Sequence, residues 1–129
     1  MKIFVNAYLE QNLGDDLFFY ILKNRYPQHT FYVLSTFWNN ESNVKVYRNP
    51  IYNKIIKKLQ IKSIIANRCD IAISLGGSIY IEDENSKNRK FSLGKNPYYV
   101  VGSNFGPYVT QEFYQKAYEF FKRCRRCMF

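Results

Sequence analysis

The sequence has little of what several common protein classes require. Three cysteines in 129 residues, Cys69, Cys124 and Cys127, are an odd and unevenly spread set that makes no disulfide framework. Cys124-x-x-Cys127 finds only Cys69 and His29 as further soft ligands, short of the four a structural zinc takes. It also follows a helical pattern, whereas redox CxxC pairs open one. The spacing is read as chance, with no metal expected. His29 is the one histidine; it lies between Pro27 and a strand pattern, reads as a surface loop residue, and leaves a histidine-based triad little to draw on. Long apolar runs are absent too. The longest, Ile71 to Ile81, is interrupted by two serines and two glycines, short of the roughly 20 residues a membrane-spanning helix needs. The N-terminus, Met1-Lys2-Ile3-Phe4-Val5-Asn6, holds no signal-peptide core. Neither a GxGxxG fingerprint nor a P-loop occurs, because no glycine follows Gly76-Gly77 in register. A single cytoplasmic domain spanning residues 1–129 is expected.

Acidic residues are the other scarcity: 10 Asp+Glu stand against 19 Lys+Arg, a formal charge of +9. Between Asn43 and Cys69 lie Lys45, Arg48, Lys54, Lys57, Lys58, Lys62 and Arg68 with no acid among them. Such a segment suits anionic partners or simply forms a solvated helix face. A nucleic-acid-binding module is one alternative, but the chain carries no RRM-type aromatic signature and no zinc finger, so no specific nucleic acid is expected. What is plentiful is apolar and aromatic. Hydrophobic residues make up 47%, with 12 Tyr, 11 Phe and one Trp, ample for a packed core.

The patterning alternates strands and helices. Lys2–Tyr8, Phe31–Ser35, Val44–Tyr47, Asp70–Leu75 and Tyr98–Gly102 read as strands. A helix opens at Gly14-Asp15-Asp16 and stops at Pro27; another starts at Asn49-Pro50, with a phase shift near Gln60–Ile61; a last amphipathic helix runs from Thr110. Glu82–Lys95 reads as a mobile loop. This order predicts a Rossmann-like three-layer α/β domain with a mostly parallel sheet of about five strands. Ligands of such sheets bind beyond the strands' carboxyl ends. There the turns at 9–16, 76–83 and 103–108 collect the chain's Gly, Asn, Asp, Ser and Pro.

Each turn has two readings. In Asn12-Leu13-Gly14-Asp15-Asp16, free N–H groups of the helix start can bind a ligand, and the two carboxylates suit sugar hydroxyls or general-base work; or an aspartate merely caps the helix. Gly76-Gly77-Ser78 either lets a ligand approach the backbone or is a tight turn. Ser103-Asn104-Phe105-Gly106-Pro107 is a rigid rim, or a turn shaped by Gly-Pro.

Taken together and in this spacing, four pieces carry a resemblance. They are the opening strand with Asn12-Leu13-Gly14-Asp15-Asp16-Leu17, Asp70 through Ser78, Val100 through Tyr108, and the basic Cys124 to Phe129. The chain resembles the N-terminal half of the polysaccharide pyruvyl transferase family. The resemblance implies one half of a GT-B-like two-domain architecture, with the C-terminal domain outside this chain and the half inactive alone. The implied reaction, in cell-surface or exopolysaccharide biosynthesis, moves pyruvate from phosphoenolpyruvate, as donor substrate and with no cofactor, onto two sugar hydroxyls as a ketal. The implied partners are a sugar or lipid-linked saccharide acceptor, the missing domain, and, through peripheral association, a membrane surface. Asp15 is the catalytic candidate, in contact with an acceptor hydroxyl. Asn12, Gly14, Asp16, Gly76, Gly77, Ser78, Ser103, Asn104, Phe105, Gly106 and Pro107 are the substrate-binding candidates. A half-domain of a GT-B nucleotide-sugar glycosyltransferase shares this architecture and is the second alternative. Homo-oligomers are expected through apolar surface around Tyr118, Phe120, Phe121 and Phe129.

Overall fold

Lys2 to Asn6 alternates its side chains across a strand, and Ile3, Phe4 and Val5 are all buried, so both faces must be covered, as at the centre of a parallel sheet. A computed structural model, which describes residues 1–48, 61–77, 80–83 and 94–128, places this strand there. The elements run β1 (Lys2–Asn6), α1 (Leu13–Arg25), β2 (Thr30–Leu34), β3 (Val44–Tyr47), α2 (Ile61–Asn67), β4 (Ile71–Leu75), β5 (Tyr98–Val101), α3 (Gln111–Arg123) and β6 (Arg126–Met128). All described ladders are parallel, and the order is β3-β2-β1-β4-β5-β6. That is the order of doubly wound, Rossmann-like sheets, and its switch point lies between β1 and β4. No described helix is long and apolar enough to cross a membrane.

The sheet separates two apolar layers. On one face Ile3, Val5, Phe31, Val33, Val44 and Leu75 pack with Phe19 of α1. On the other, Phe4, Ala72, Tyr98 and Val100 pack with Ile65 and Ala66 of α2, Phe120 of α3, and Tyr80. Phe19 sits edge-on to both Phe31 and Trp38, and Tyr80 and Tyr98 both meet Phe120. Each face buries several large side chains, at about 1.5–3 kcal/mol per fully buried one.

Three expectations are corrected. The sheet has six strands where about five were expected, because the segment at the end of the last helix continues into a further strand. α3 stops at Arg123 because Cys124 turns extended (φ −67°, ψ 139°). Arg126 to Met128 then pairs with Tyr99 to Val101 as the edge strand; Arg126, with Arg125 just before it, gives that edge the charge that discourages further pairing. Neither aspartate caps α1: Asn12 holds the cap position without a side-chain bond, Asp15 turns to the Tyr8 amide, and Asp16 accepts from the Trp38 indole N–H at 2.8 Å. Nor is the last helix an open aromatic face. Phe120 is buried against Tyr80 and Tyr98, Phe121 is half-buried, and only Tyr118 is well exposed. Phe129, the helix start at Asn49-Pro50, Ser78, and positions 84–93 of the expected loop lie outside the described residues.

Candidate functional site

One buried carboxylate sits at the centre of the crevice beyond the carboxyl ends of β1, β4 and β5. Asp15, in the first turn of α1, is only 3% exposed. Its Oδ2 accepts a hydrogen bond from the Tyr8 amide at 3.1 Å. On its other side lies the backbone of Gly76 and Gly77. A Cβ on Gly76 would run into Asp15 Oδ1, and one on Gly77 would lie 3.1 Å from Oδ2. Both glycines also take left-handed backbone angles, φ +70° and +66°, which a side chain disfavours. The Gly-Gly pair is therefore required twice, by conformation and by the close approach of the carboxylate.

The turn after β5 locks onto the same pair. Ser103, fully buried, donates its hydroxyl to the Gly76 carbonyl at 2.9 Å. The Gly76 amide bonds to the Val101 carbonyl at 3.0 Å, and the Asn104 amide to the Gly77 carbonyl at 3.1 Å. So the structure brings Asp15, Gly76, Gly77, Ser103 and Asn104 into one rim, with Asn12, Gly14 and the Asn104 side chain at its exposed surface. Burial raises Asp15 above the ordinary carboxylate range, with the neighbouring Asp16 adding to it and the Tyr8 amide opposing it. The carboxylate expected to meet an acceptor hydroxyl thus faces inward, onto backbone.

Other expected residues sit elsewhere. Asp16 points away, to Trp38. Phe105 is half-buried and stacks on Tyr108 and Phe113, which makes it part of the packing under α3. Gly106 and Pro107, joined by a cis peptide, zip onto the chain after β4. The Gly106 amide donates to the Tyr80 carbonyl at 2.9 Å, and the Glu82 amide to the Pro107 carbonyl at 3.0 Å.

Sequence reasoning missed two contributors. Glu82, inside the expected loop, accepts from the Thr110 amide at 2.7 Å and from the Val109 amide. It places a negative charge on the positive end of α3, from a distance along the chain that no local capping pattern reveals. Lys62 of α2 donates to Asn6 Oδ1 at 3.1 Å. Asn6 ends β1 opposite Ser74 of β4, so the pair stands at the switch point. The lysine was legible only as one of seven cations. Beneath it Ser74, Tyr80 and Tyr98 are buried in one layer. Burial holds the Tyr80 and Tyr98 phenols above their ordinary value, so that layer is polar but uncharged.

Among the described residues the crevice therefore offers backbone N–H groups at the start of α1, exposed amide side chains at Asn12 and Asn104, and the Lys62 ammonium beside Asn6. Hydrogen-bond donors and acceptors at a rigid rim suit a polyhydroxylated ligand, and the cation suits an anionic substituent. No family model, no curated protein and no solved structure matches the chain.

Proposed function

We propose that this chain is the acceptor-side half of a polysaccharide pyruvyl transferase, arranged as one domain of a GT-B-like pair. One observation carries the reading. The turns after β1, β4 and β5, which bear three of the four resembling pieces, share a single rim tied by Asp15, Gly76, Gly77 and Ser103. Asn12 and Asn104 orient sugar hydroxyls. Asp15 is a positioning residue, since its carboxylate is buried, bonded to the Tyr8 amide and packed against the glycine turn. Lys62, beside Asn6, accepts an anionic group at the switch point.

Ketal formation needs protonation of the enol carbon C3 of phosphoenolpyruvate and attack of one sugar hydroxyl on C2. Phosphate then leaves C2 with its bonding electron pair, and the second hydroxyl attacks the resulting oxocarbenium carbon to close the ring, the protons of the two hydroxyls going to a base and to the departing phosphate. This half holds the two hydroxyls in place, an entropic contribution to the rate. Clamps for the donor's carboxylate and phosphate come from the partner domain.

The test is amide chemical-shift mapping on the 15N-labelled chain. Oligosaccharide acceptors should shift Gly14, Gly76, Gly77 and Asn104 in a saturable way, and nucleotide sugars should not. Saccharides that leave these four amides unmoved would overturn the proposal. Nucleotide sugars that move them instead would assign a glycosyltransferase half-domain.

A further inference from the structure

The most anomalous surface lies on α1 and starts at the rim, where Phe18 packs beside Gly76 and Gly102. An ordinary surface helix buries one apolar stripe and shows water a polar face. α1 turns Phe19, with Asp15 and Lys23, to the protein and still presents Leu13 (83% exposed), Leu17 (52%), Phe18 (47%), Tyr20 (54%) and Ile21 (52%) to solvent. Leu13, Leu17 and Ile21 recur every four residues and form one continuous ridge.

We infer that this ridge is where two copies of the chain meet, α1 against α1 across a two-fold axis through Leu17. Three observations select a second copy. A single apolar ridge is its own complement under a two-fold rotation, which sets Leu13 against the second copy's Ile21 and Leu17 against its Leu17. The five side chains expose on the order of 500 Å² per copy, or ~1,000 Å² for the pair, the lower bound of a specific interface.

Charge is the third. A chain of net charge +9 repels its copies unless they approach through a face clear of cations. Of the described cations only Lys23 and Arg25 belong to α1. On α1 itself Lys23 is buried and paired with Glu41 at 2.6 Å, Asp15 is buried, Asp16 is bonded to Trp38, and Arg25 stands at the far end. An interface at the low end of the size range is weak and reversible, so its dissociation constant is sought on the order of micromolar.

The test is sedimentation equilibrium of the whole chain from roughly 1 to 200 µM, bracketing that constant. A monomer–dimer equilibrium is expected, and Leu17→Lys should weaken it at least tenfold. Leu17 is half-exposed, so the variant's circular dichroism and melting should match the parent's. Ridge-to-ridge packing at roughly 8–10 Å between axes brings the two Leu17 Cα atoms within a disulfide's span. Leu17→Cys, in a Cys124→Ser/Cys127→Ser background, should therefore cross-link to itself on mild oxidation, and Tyr118→Cys in that background should not. A monomer at every concentration, a dimer indifferent to Leu17→Lys, or cross-linking through position 118 but not 17 would overturn the inference.

Discussion

Gly76→Ala and Asp15→Ala should each destabilise the domain, and together should cost less than their sum. Alanine at position 76 has two separate problems. Its φ of +70° is left-handed, at about 1–2 kcal/mol for a residue with a Cβ. Its methyl also meets Asp15 Oδ1, with Phe18 Cδ2 at 3.3 Å on the other side. Displacing a packed, buried group costs about 1–3 kcal/mol more, so Gly76→Ala alone should lose roughly 2–5 kcal/mol. Asp15→Ala leaves the Tyr8 amide without its acceptor, at about 1–3 kcal/mol. In the double variant the methyl has room where the carboxylate was, so the carboxylate's share of the clash vanishes while the backbone cost stays. The coupling should be about 1–2 kcal/mol in the favourable direction, well above the scatter of independent sites. Urea denaturation of the four proteins at one pH measures it. Additivity within about 0.5 kcal/mol would refute the account of how these turns are locked.

Three further outcomes are expected. Because burial raises Asp15 from its ordinary 3.8, the folded chain holds that proton to higher pH than the unfolded chain does. Asp15's contribution then declines as pH rises from about 3.8 through the folded value, so Asp15→Asn, which keeps an acceptor for Tyr8, should gain stability relative to wild type over that window in urea titrations, and a relative loss would contradict it. Glu41→Gln removes the partner of Lys23, whose side chain is 8% exposed against 40% for Glu41. A loss of about 1–2 kcal/mol is expected, smaller in high salt, and an unchanged urea midpoint would show that the nearby Tyr20 and Trp38 rings suffice for the ammonium. Burial pushes the Cys69 thiol up to about 11, and burial with the adjacent Cys127 pushes Cys124 up to about 12. Iodoacetamide at mildly alkaline pH should alkylate both at least roughly tenfold more slowly than a free thiol, as mass spectrometry would show, and rapid labelling of either would contradict their environment.

Much of this architecture is written locally. The apolar runs at 2–6, 30–34, 44–47, 71–75 and 98–101 are strands in any context that covers both faces, and their alternation with helical patterns admits few arrangements but a parallel sheet. That the glycine- and asparagine-rich turns would gather at one end follows from that parallel sense alone, since every carboxyl end then points the same way. Residues chosen by long-range partners were not legible. Arg126 to Met128 is too short and too charged to look like a strand; it becomes one because Tyr99 to Val101 has an unpaired edge. Glu82 holds the Thr110 cap of a helix that begins 29 residues after it. Asp15 looks like a cap or a base until folding carries Gly76 and Gly77 against it. Only the closed structure desolvates that carboxylate and removes the space a glycine side chain would need. The same closure decides which apolar side chains of α1 stay in contact with water. Local propensity and periodicity act over a few residues, whereas burial is a property of the whole assembled sheet.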